Sequence, residues 1–218
     1  MAAGKLAVLS NVNMNMVIRM LQKQAQVYET EGYGNELGVL LNPASSYHTF
    51  QPDITFFIMD LAELLEHDFS PAAEEKIADW FGTLDGSLTE KGIYYISDAY
   101  LWAVELSVLA DPERKLQLEG LWSAALEKCR EKHANVRVFP YRSMIEQLGS
   151  DKAFSPKMWY MGKVLLGMEA QSVLAQKLFY YAELEYRTPK KVLVLDLDNT
   201  LWGGLAGEAE HTPVQLSE

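Results

Sequence analysis

The feature that most limits the possible folds of this chain is an alternation between short apolar runs and longer segments with helical spacing. Each apolar run is short enough to be a buried strand and ends in polar or turn-forming residues. We expect strands at 6–10, 36–41, 54–60, 92–97 and 136–140, and helices at about 16–31, 71–85, 112–132 and 156–187. Strands that alternate with helices form a parallel sheet with right-handed crossovers. The pattern therefore predicts a three-layer α/β/α domain.

A domain boundary is indicated near residue 190. Pro189 stops the predicted helix, and Lys190 and Lys191 precede a further apolar run that predicts a sixth strand at 191–195. From this organisation we expect an α/β domain at 1–155, a linking helical segment at 156–190 and the beginning of a second domain at 191–218.

Composition excludes several classes of function. A net charge of −11 argues against a nucleic-acid surface and favours a soluble cytoplasmic protein. No apolar stretch is long enough for a membrane span, and the N-terminus has no signal-peptide core. The single cysteine, Cys129, cannot form an internal disulfide, and its helical, charged surroundings favour a partly buried thiol without a function.

The strongest chemical signal is two carboxylates that follow the run at 191–195. Asp196 and Asp198 are two residues apart, so on an extended segment they project from the same side of the backbone. Two close carboxylates repel each other unless a cation lies between them, and Mg²⁺ prefers oxygen ligands. Thr200 follows in the same segment. The alternative is a simple turn at a strand end, where Asp and Asn are favoured.

The segment LVLDLDNTLWGG resembles the first motif of the FkbH-like branch of the HAD (haloacid dehalogenase-like) phosphatases and phosphotransferases. The resemblance implies that Asp196 is the nucleophile and a Mg²⁺ ligand. It further implies that Asp198 is the general acid/base and ligates the metal through its backbone carbonyl, and that Thr200 orders the loop. Gly207 and Glu208 match a further part of this motif.

The later motifs of that family do not occur in residues 209–218. The family needs a later Ser or Thr, a Lys or Arg for the phosphate, and an acidic pair for the metal. We therefore expect the 218-residue chain to carry an incomplete Rossmann-like HAD domain and to be inactive alone.

The upstream region resembles the N-terminal SGNH-like domain of the same proteins, which implies an SGNH-like or flavodoxin-like sheet. Ser10 stands where SGNH hydrolases place their nucleophile, and Asp60 falls where that family has an Asn-containing block. However, Asn11 follows Ser10 directly, and the Asp-x-x-His of those enzymes is absent from the sequence. A nucleophilic serine needs a base within hydrogen-bond reach, so we expect Ser10 and Asn11 to form turns or contact a ligand.

Aromatic residues near the linking segment indicate a wall of a binding cleft. Trp159 and Tyr160 lie near a predicted helix start and could face the cleft with Lys163, although such residues are more often part of a core. By resemblance, intact relatives dephosphorylate a three-carbon phosphorylated acid and pass its glyceryl unit to an acyl carrier protein in polyketide biosynthesis. Two alternatives stay open, namely a non-catalytic module that docks a carrier protein and an SGNH-type serine esterase.

Overall fold

A computed structural model describes residues 3–30, 32–102 and 111–187, together with the pairs 202–203 and 215–216. The chain divides into two compact units, Met1–Tyr186 and Arg187–Glu218. In the second unit, β6 (Trp202–Gly203) pairs with β7 (Gln215–Leu216) in antiparallel fashion. The predicted sixth strand at 191–195 lies outside the described residues.

The first unit is built on a parallel five-stranded sheet. Its strands are β1 (Ala3–Ser10), β2 (Ala25–Val27), β3 (Ile54–Ile58), β4 (Ile93–Ser97) and β5 (Val136–Phe139). They lie in the order β2-β1-β3-β4-β5, and every neighbouring pair is parallel. This is the flavodoxin-like order, which places ligand sites at the carboxyl ends of the strands.

The helices of the first unit connect these strands. They are α1 (Asn15–Leu21), α2 (Glu36–Leu41), α3 (Ser46–Phe50), α4 (Leu61–Leu64), α5 (Ala72–Asp85), α6 (Pro112–Lys132), α7 (Tyr141–Leu148), α8 (Ser150–Ala153), α9 (Pro156–Gly162) and α10 (Met168–Tyr186). Within the described ranges, no helix is both long and apolar enough to cross a membrane.

The two faces of the sheet carry separate hydrophobic cores because successive side chains on a strand point to opposite faces. On β3, Phe56 packs into the core beneath α1 and α10, whereas its neighbour Phe57 packs into the core beneath α5 and α6. All five residues of β3 are buried, as expected for a central strand covered on both faces. The predicted three-layer α/β/α fold is therefore confirmed.

Two local predictions are wrong. Residues 36–41 form α2 and not a strand, with Leu40 buried, Leu41 exposed and Glu36 accepting a hydrogen bond of 3.1 Å from the Trp80 indole. The predicted helix 16–31 ends at Leu21, and 25–27 becomes the edge strand β2 beside β1. The local preference of Ala-Gln-Val for a helix is weak, and pairing with the long strand β1 overrides it. The helical stretch 156–187 is also interrupted, because Lys163 adopts a left-handed conformation between α9 and α10.

Candidate functional site

The carboxyl ends of β1, β3 and β4 bring together five polar residues, the first four buried and the last half-buried, that we call the carboxyl-edge cluster: Ser10, Asn11, Asp60, Ser97 and Asp98. Parallel strands end at the same edge of a sheet, so residues far apart in sequence meet there. The sequence analysis had singled out Ser10, Asn11 and Asp60, and the structure places these three side by side.

Ser10 is fixed by hydrogen bonds to the main chain. Its hydroxyl donates to the carbonyl of Ile58 at 2.5 Å and accepts from the Val12 N–H at 3.2 Å. The residue is only 6% exposed. The Ser10 proton is thus committed to a peptide carbonyl that belongs to the neighbouring strand, and this bond ties the end of β1 to the end of β3.

Asn11 and Asp60 bind each other reciprocally. The Asn11 amide donates to the Asp60 carbonyl at 2.8 Å, and the Asp60 N–H donates to Asn11 Oδ1 at 2.9 Å. The Asp60 side chain caps α4 by accepting the Glu63 N–H at 2.8 Å. The Asn11 side chain therefore holds the turn after β3. The cap of α4 uses only one of the two Asp60 carboxylate oxygens.

The Asp60 carboxyl titrates near neutrality. Burial raises its pKa from 3.8 to about 7, and the nearby Glu63 charge raises it as well. The capping bond from the Glu63 N–H and the positive charge of Lys163 act in the opposite direction. A carboxyl with such a pKa at the ligand edge of an α/β sheet can hold or release a proton at physiological pH.

Ser97 and Asp98 extend the cluster along β4. Ser97 Oγ accepts the Met59 N–H at 3.0 Å, and its carbonyl accepts from the Trp122 indole at 3.0 Å. Asp98 accepts the Arg142 N–H at 2.7 Å, and burial raises the pKa of its carboxyl. Neither residue is among those predicted from the sequence, although a polar pair at the end of an apolar strand was a usable signal.

A second group of side chains forms what we call the aromatic cavity, of about 410 Å³. It is lined by Tyr33, His67, Trp159, Tyr160, Met161, Gly162 and Lys163. The predicted wall residues Trp159 and Tyr160 both lie here, Trp159 largely buried and Tyr160 74% exposed. They are positioned by α9, whose first turn is capped by Ser155 through a 3.3 Å hydrogen bond from the Met158 N–H.

Two polar members of the aromatic cavity, His67 and Lys163, both contact the Glu63 carboxylate. The Lys163 ammonium lies 4.2 Å from the centre of the Trp159 ring and 3.4 Å from the Glu63 carboxylate. His67 contacts the same carboxylate at 3.3 Å. Since Lys163 also lowers the pKa of Asp60, the cavity and the carboxyl-edge cluster are coupled electrostatically.

Backbone strain is concentrated around this cavity. Glu66, His67 and Lys163 have φ values of 54°, 57° and 55°, in the left-handed region that side chains other than glycine rarely adopt. Such conformations cost about 1–3 kcal/mol each and persist where surrounding contacts enforce them, often near ligand sites. His67 is not among the residues predicted from the sequence, and its contact with Glu63, four residues earlier, depends on the left-handed turn after α4.

A larger cavity of about 750 Å³ lies on the other side of Tyr33. Ser10, Tyr28, Thr30, Asn35 and Glu36 contribute to its walls, and Tyr33 lines both cavities. The carbonyl of Ser10 accepts the Gly34 N–H at 3.0 Å, which holds this loop against the end of β1. The candidate site is thus an open cleft that the carboxyl-edge cluster lines through Ser10.

The described part of the chain offers Ser10 no histidine as a hydrogen-bonded base. His48 bonds the Leu40 carbonyl, His67 bonds Glu63, and His133 bonds Asp85. Esterase chemistry through Ser10 therefore lacks its essential partner among these residues. Asp196, Asp198 and Thr200 lie outside the described residues, so their roles stay predictions.

The fold and the cleft define an SGNH-like α/β domain, and comparison with known proteins agrees. No protein-family profile and no curated protein matches the sequence. Among solved structures, the chain is similar to the N-terminal part of BF1531 from Bacteroides fragilis, which contains a phosphatase domain and was crystallised with Mg. The identity is 18% and the TM-score 0.76 over 99% of this chain and 61% of that one, so this chain spans about three fifths of that structure.

Two further structures resemble the chain less closely. A catalytic mutant of Axe2, an acetylxylan esterase from Geobacillus stearothermophilus, has 12% identity and a TM-score of 0.55 over 87% of this chain and 98% of its own. The lipase/acylhydrolase from Enterococcus faecalis has 12% identity and a TM-score of 0.56 over 87% of this chain and its entire length. At these identities the likenesses establish the fold and not the activity.

Proposed function

We propose that this chain supplies the N-terminal, ligand-binding part of a Mg²⁺-dependent phosphatase or phosphotransferase of the FkbH-like HAD type. The observation that carries the proposal is the motif Asp196-Leu-Asp198-Asn-Thr200 after an apolar run. The likeness to BF1531, which joins such a fold to a phosphatase domain, supports it over 99% of this chain.

In the proposed reaction Asp196 attacks the phosphorus of a phosphorylated small molecule. The new bond joins a carboxylate oxygen to phosphorus and the bond from phosphorus to the alcohol oxygen breaks, while Asp198 gives the leaving oxygen its proton. Asp198 then takes a proton from water, which attacks the aspartyl-phosphate and releases inorganic phosphate.

The donor chemistry of the motif fits Mg²⁺, because both candidate ligands, the Asp196 carboxylate and the Asp198 carbonyl, are hard oxygens. When bound, the ion neutralises charge on the phosphoryl oxygens. The finer proposal is that the substrate is a three-carbon phosphorylated acid and that its glyceryl unit passes to an acyl carrier protein in the cytoplasm. That transfer requires a phosphate on the carboxyl group, because the carrier thiol then attacks the carboxyl carbon, forms the thioester and displaces phosphate.

A phosphatase assay tests the central proposal. Wild type and variants of the complete coding sequence would be incubated with a phosphorylated three-carbon acid, with and without Mg²⁺, and phosphate release measured. We expect Asp196→Asn and Asp198→Asn to abolish Mg²⁺-dependent turnover, whereas Ser10→Ala keeps it. Full activity in Asp196→Asn would show that the nucleophile is wrongly assigned. Mass spectrometry of an added carrier protein separates transfer from hydrolysis.

A second candidate function is a non-catalytic docking module for a carrier protein. It is favoured by the rim of the aromatic cavity, where Tyr160 and Met161 are mostly exposed beside the half-exposed Lys163. Binding of an acyl carrier protein, measured by calorimetry, should weaken in Tyr160→Ala. Tyr33→Ala, at another exposed tyrosine that lines this cavity, is the comparison. If wild type and Tyr160→Ala bind the carrier protein with equal affinity, the rim of the aromatic cavity is not the docking surface.

The serine esterase alternative is disfavoured by the Ser10 hydrogen bond to Ile58. We expect no labelling by a fluorophosphonate probe. Labelling that disappears in Ser10→Ala would restore this alternative.

A further inference from the structure

Three potential metal ligands converge where α5 and α6 end. The carboxylate of Asp85, the thiol of Cys129 and the imidazole of His133 each offer one atom, and these atoms all lie within 4.8 Å of one another. Asp85 Oδ1 and His133 Nε2 are 2.7 Å apart. Cys129 is 5% exposed, whereas the side chains of the other two are about a quarter exposed. An ion could therefore reach the thiol from the solvent side.

The fold explains this convergence. Asp85 is the last residue of α5, and Cys129 and His133 lie four residues apart at the end of α6, where such residues are neighbours. Both helices present their carboxyl ends, which carry partial negative charge and favour a cation. In a parallel α/β unit the helices run opposite to the strands, so this group lies at the sheet edge opposite to the carboxyl-edge cluster.

We propose that Asp85, Cys129 and His133 bind Zn²⁺. A thiolate with an imidazole selects a borderline-soft ion such as Zn²⁺, whereas Mg²⁺ prefers oxygen ligands alone. Bonds of about 2.0–2.3 Å in a tetrahedral arrangement separate ligand atoms by about 3.2–3.8 Å. Side-chain movements of about 1 Å bring the three observed atoms to that spacing, starting from separations between 2.7 and 4.8 Å.

Neighbouring groups are compatible with the ion. The Lys132 ammonium contacts Asp85 through Oδ2 at 2.7 Å. Asp85 Oδ1 is hydrogen-bonded to His133 Nε2, and in the proposed site both of these atoms bind the ion in place of that bond. Asp85, Cys129 and Lys132 also line a cavity of about 350 Å³. This space can hold a water molecule as the fourth ligand, giving the three-ligand arrangement with one open position that protein zinc sites also use.

The single cysteine makes the site spectroscopically testable. Metal-free full-length chain would be titrated with Co²⁺, which substitutes for Zn²⁺ and shows a thiolate-to-cobalt charge-transfer band only when a cysteine binds it. We expect this band in the wild type, and we expect Zn²⁺ but not a large excess of Mg²⁺ to remove it. The Mg²⁺ resistance and the sulfur origin of the band distinguish this site from any binding at Asp196 and Asp198.

Variants decide which residues bind the ion. His133→Gln and Asp85→Asn keep the thiol, and each should weaken Zn²⁺ binding by more than about 100-fold, because the loss of even an outer partner of a ligand costs about 10- to 100-fold. One control should leave affinity within about threefold of the wild type: His48→Gln removes an imidazole that bonds the Leu40 carbonyl, away from the proposed ligands. Circular dichroism checks that each variant is folded.

The absence of a charge-transfer band in the wild type would overturn the proposal. A band and Zn²⁺ affinity that persist unchanged in folded His133→Gln and Asp85→Asn would overturn it equally, because the thiol would then bind metal without the other two residues.

Discussion

Asp60 offers the sharpest test of the electrostatics at the candidate site. The residue is 4% exposed, and burial raises the pKa of its carboxyl from 3.8 to about 7. The folded state therefore holds this proton more tightly than the unfolded state. The stability that the carboxyl contributes is complete below pH 3.8 and is lost as the pH rises through 7. Above that pH the folded protein contains a buried charge.

The size of the effect follows from the shift. About three pKa units, at about 1.4 kcal/mol each, give a ceiling of about 4 kcal/mol in the free energy of unfolding. Asp60→Asn removes the titration but keeps an oxygen that can accept the Glu63 N–H. We expect the stability of Asp60→Asn relative to wild type to increase by about 2–3 kcal/mol between pH 5 and pH 8.

Urea unfolding followed by tryptophan fluorescence, at several pH values between 5 and 8, measures this difference. The asparagine NH₂ group could change the free energy of unfolding by the same amount at every pH. The test is therefore how the difference between wild type and Asp60→Asn changes with pH. Asp68→Asn is the matched control, because Asp68 also accepts a backbone N–H but is exposed and has a lowered pKa. Its relative stability should not rise with pH. A difference for Asp60→Asn that stays flat from pH 5 to pH 8 would refute the reasoning.

Other predictions concern the cavity and the glycines. Lys163→Gln should raise the pKa of Asp60 further, because the Lys163 charge lowers it. NMR titration of the Asp60 carboxyl measures this pKa, and an unchanged midpoint would contradict the prediction. Gly92→Ala should lower the free energy of unfolding by about 1–2 kcal/mol, because φ is +85° and the added Cβ would lie 3.2 Å from the Asp53 carbonyl oxygen. Gly82→Ala should raise that free energy by up to about 1 kcal/mol in the same urea assay, because it is an exposed helical site with open space. Equal effects of the two alanines would contradict the backbone argument.

Much of the fold was predictable from the sequence because its signals are local. The central strand β3 is a continuous apolar run, and α6 starts with Asp111 as cap and Pro112 in its first turn. The mistakes arose where tertiary contacts decide. Ala25–Val27 is a strand because the edge of β1 is available to pair with it. Residues Glu36–Leu41 form α2, although a short apolar run of this kind is equally compatible with a strand.

The candidate site was likewise predictable from the sequence only in part. Ser10 and Asp60 were predictable because polar residues directly after apolar strands meet at one sheet edge. The pairing of Lys163 with Glu63 joins residues 100 positions apart and depends on a left-handed backbone at Lys163. No period or spacing in the sequence encodes such a contact, so the aromatic cavity could only be anticipated in part, through Trp159 and Tyr160.

Fold likeness and chemistry diverge at Ser10. The esterase structures that resemble this chain share its sheet, yet the Ser10 proton is committed to Ile58 at 2.5 Å, and a base would first have to break that bond. The same bond, with the reciprocal Asn11–Asp60 pair beside it, joins the ends of β1 and β3. Polar groups that stabilise a strand edge in this way are not free to attack a substrate. The proposed ligand-binding role of this unit is therefore better tested at the aromatic cavity and at the Asp60 carboxyl, whose pKa burial raises to about 7, than at Ser10.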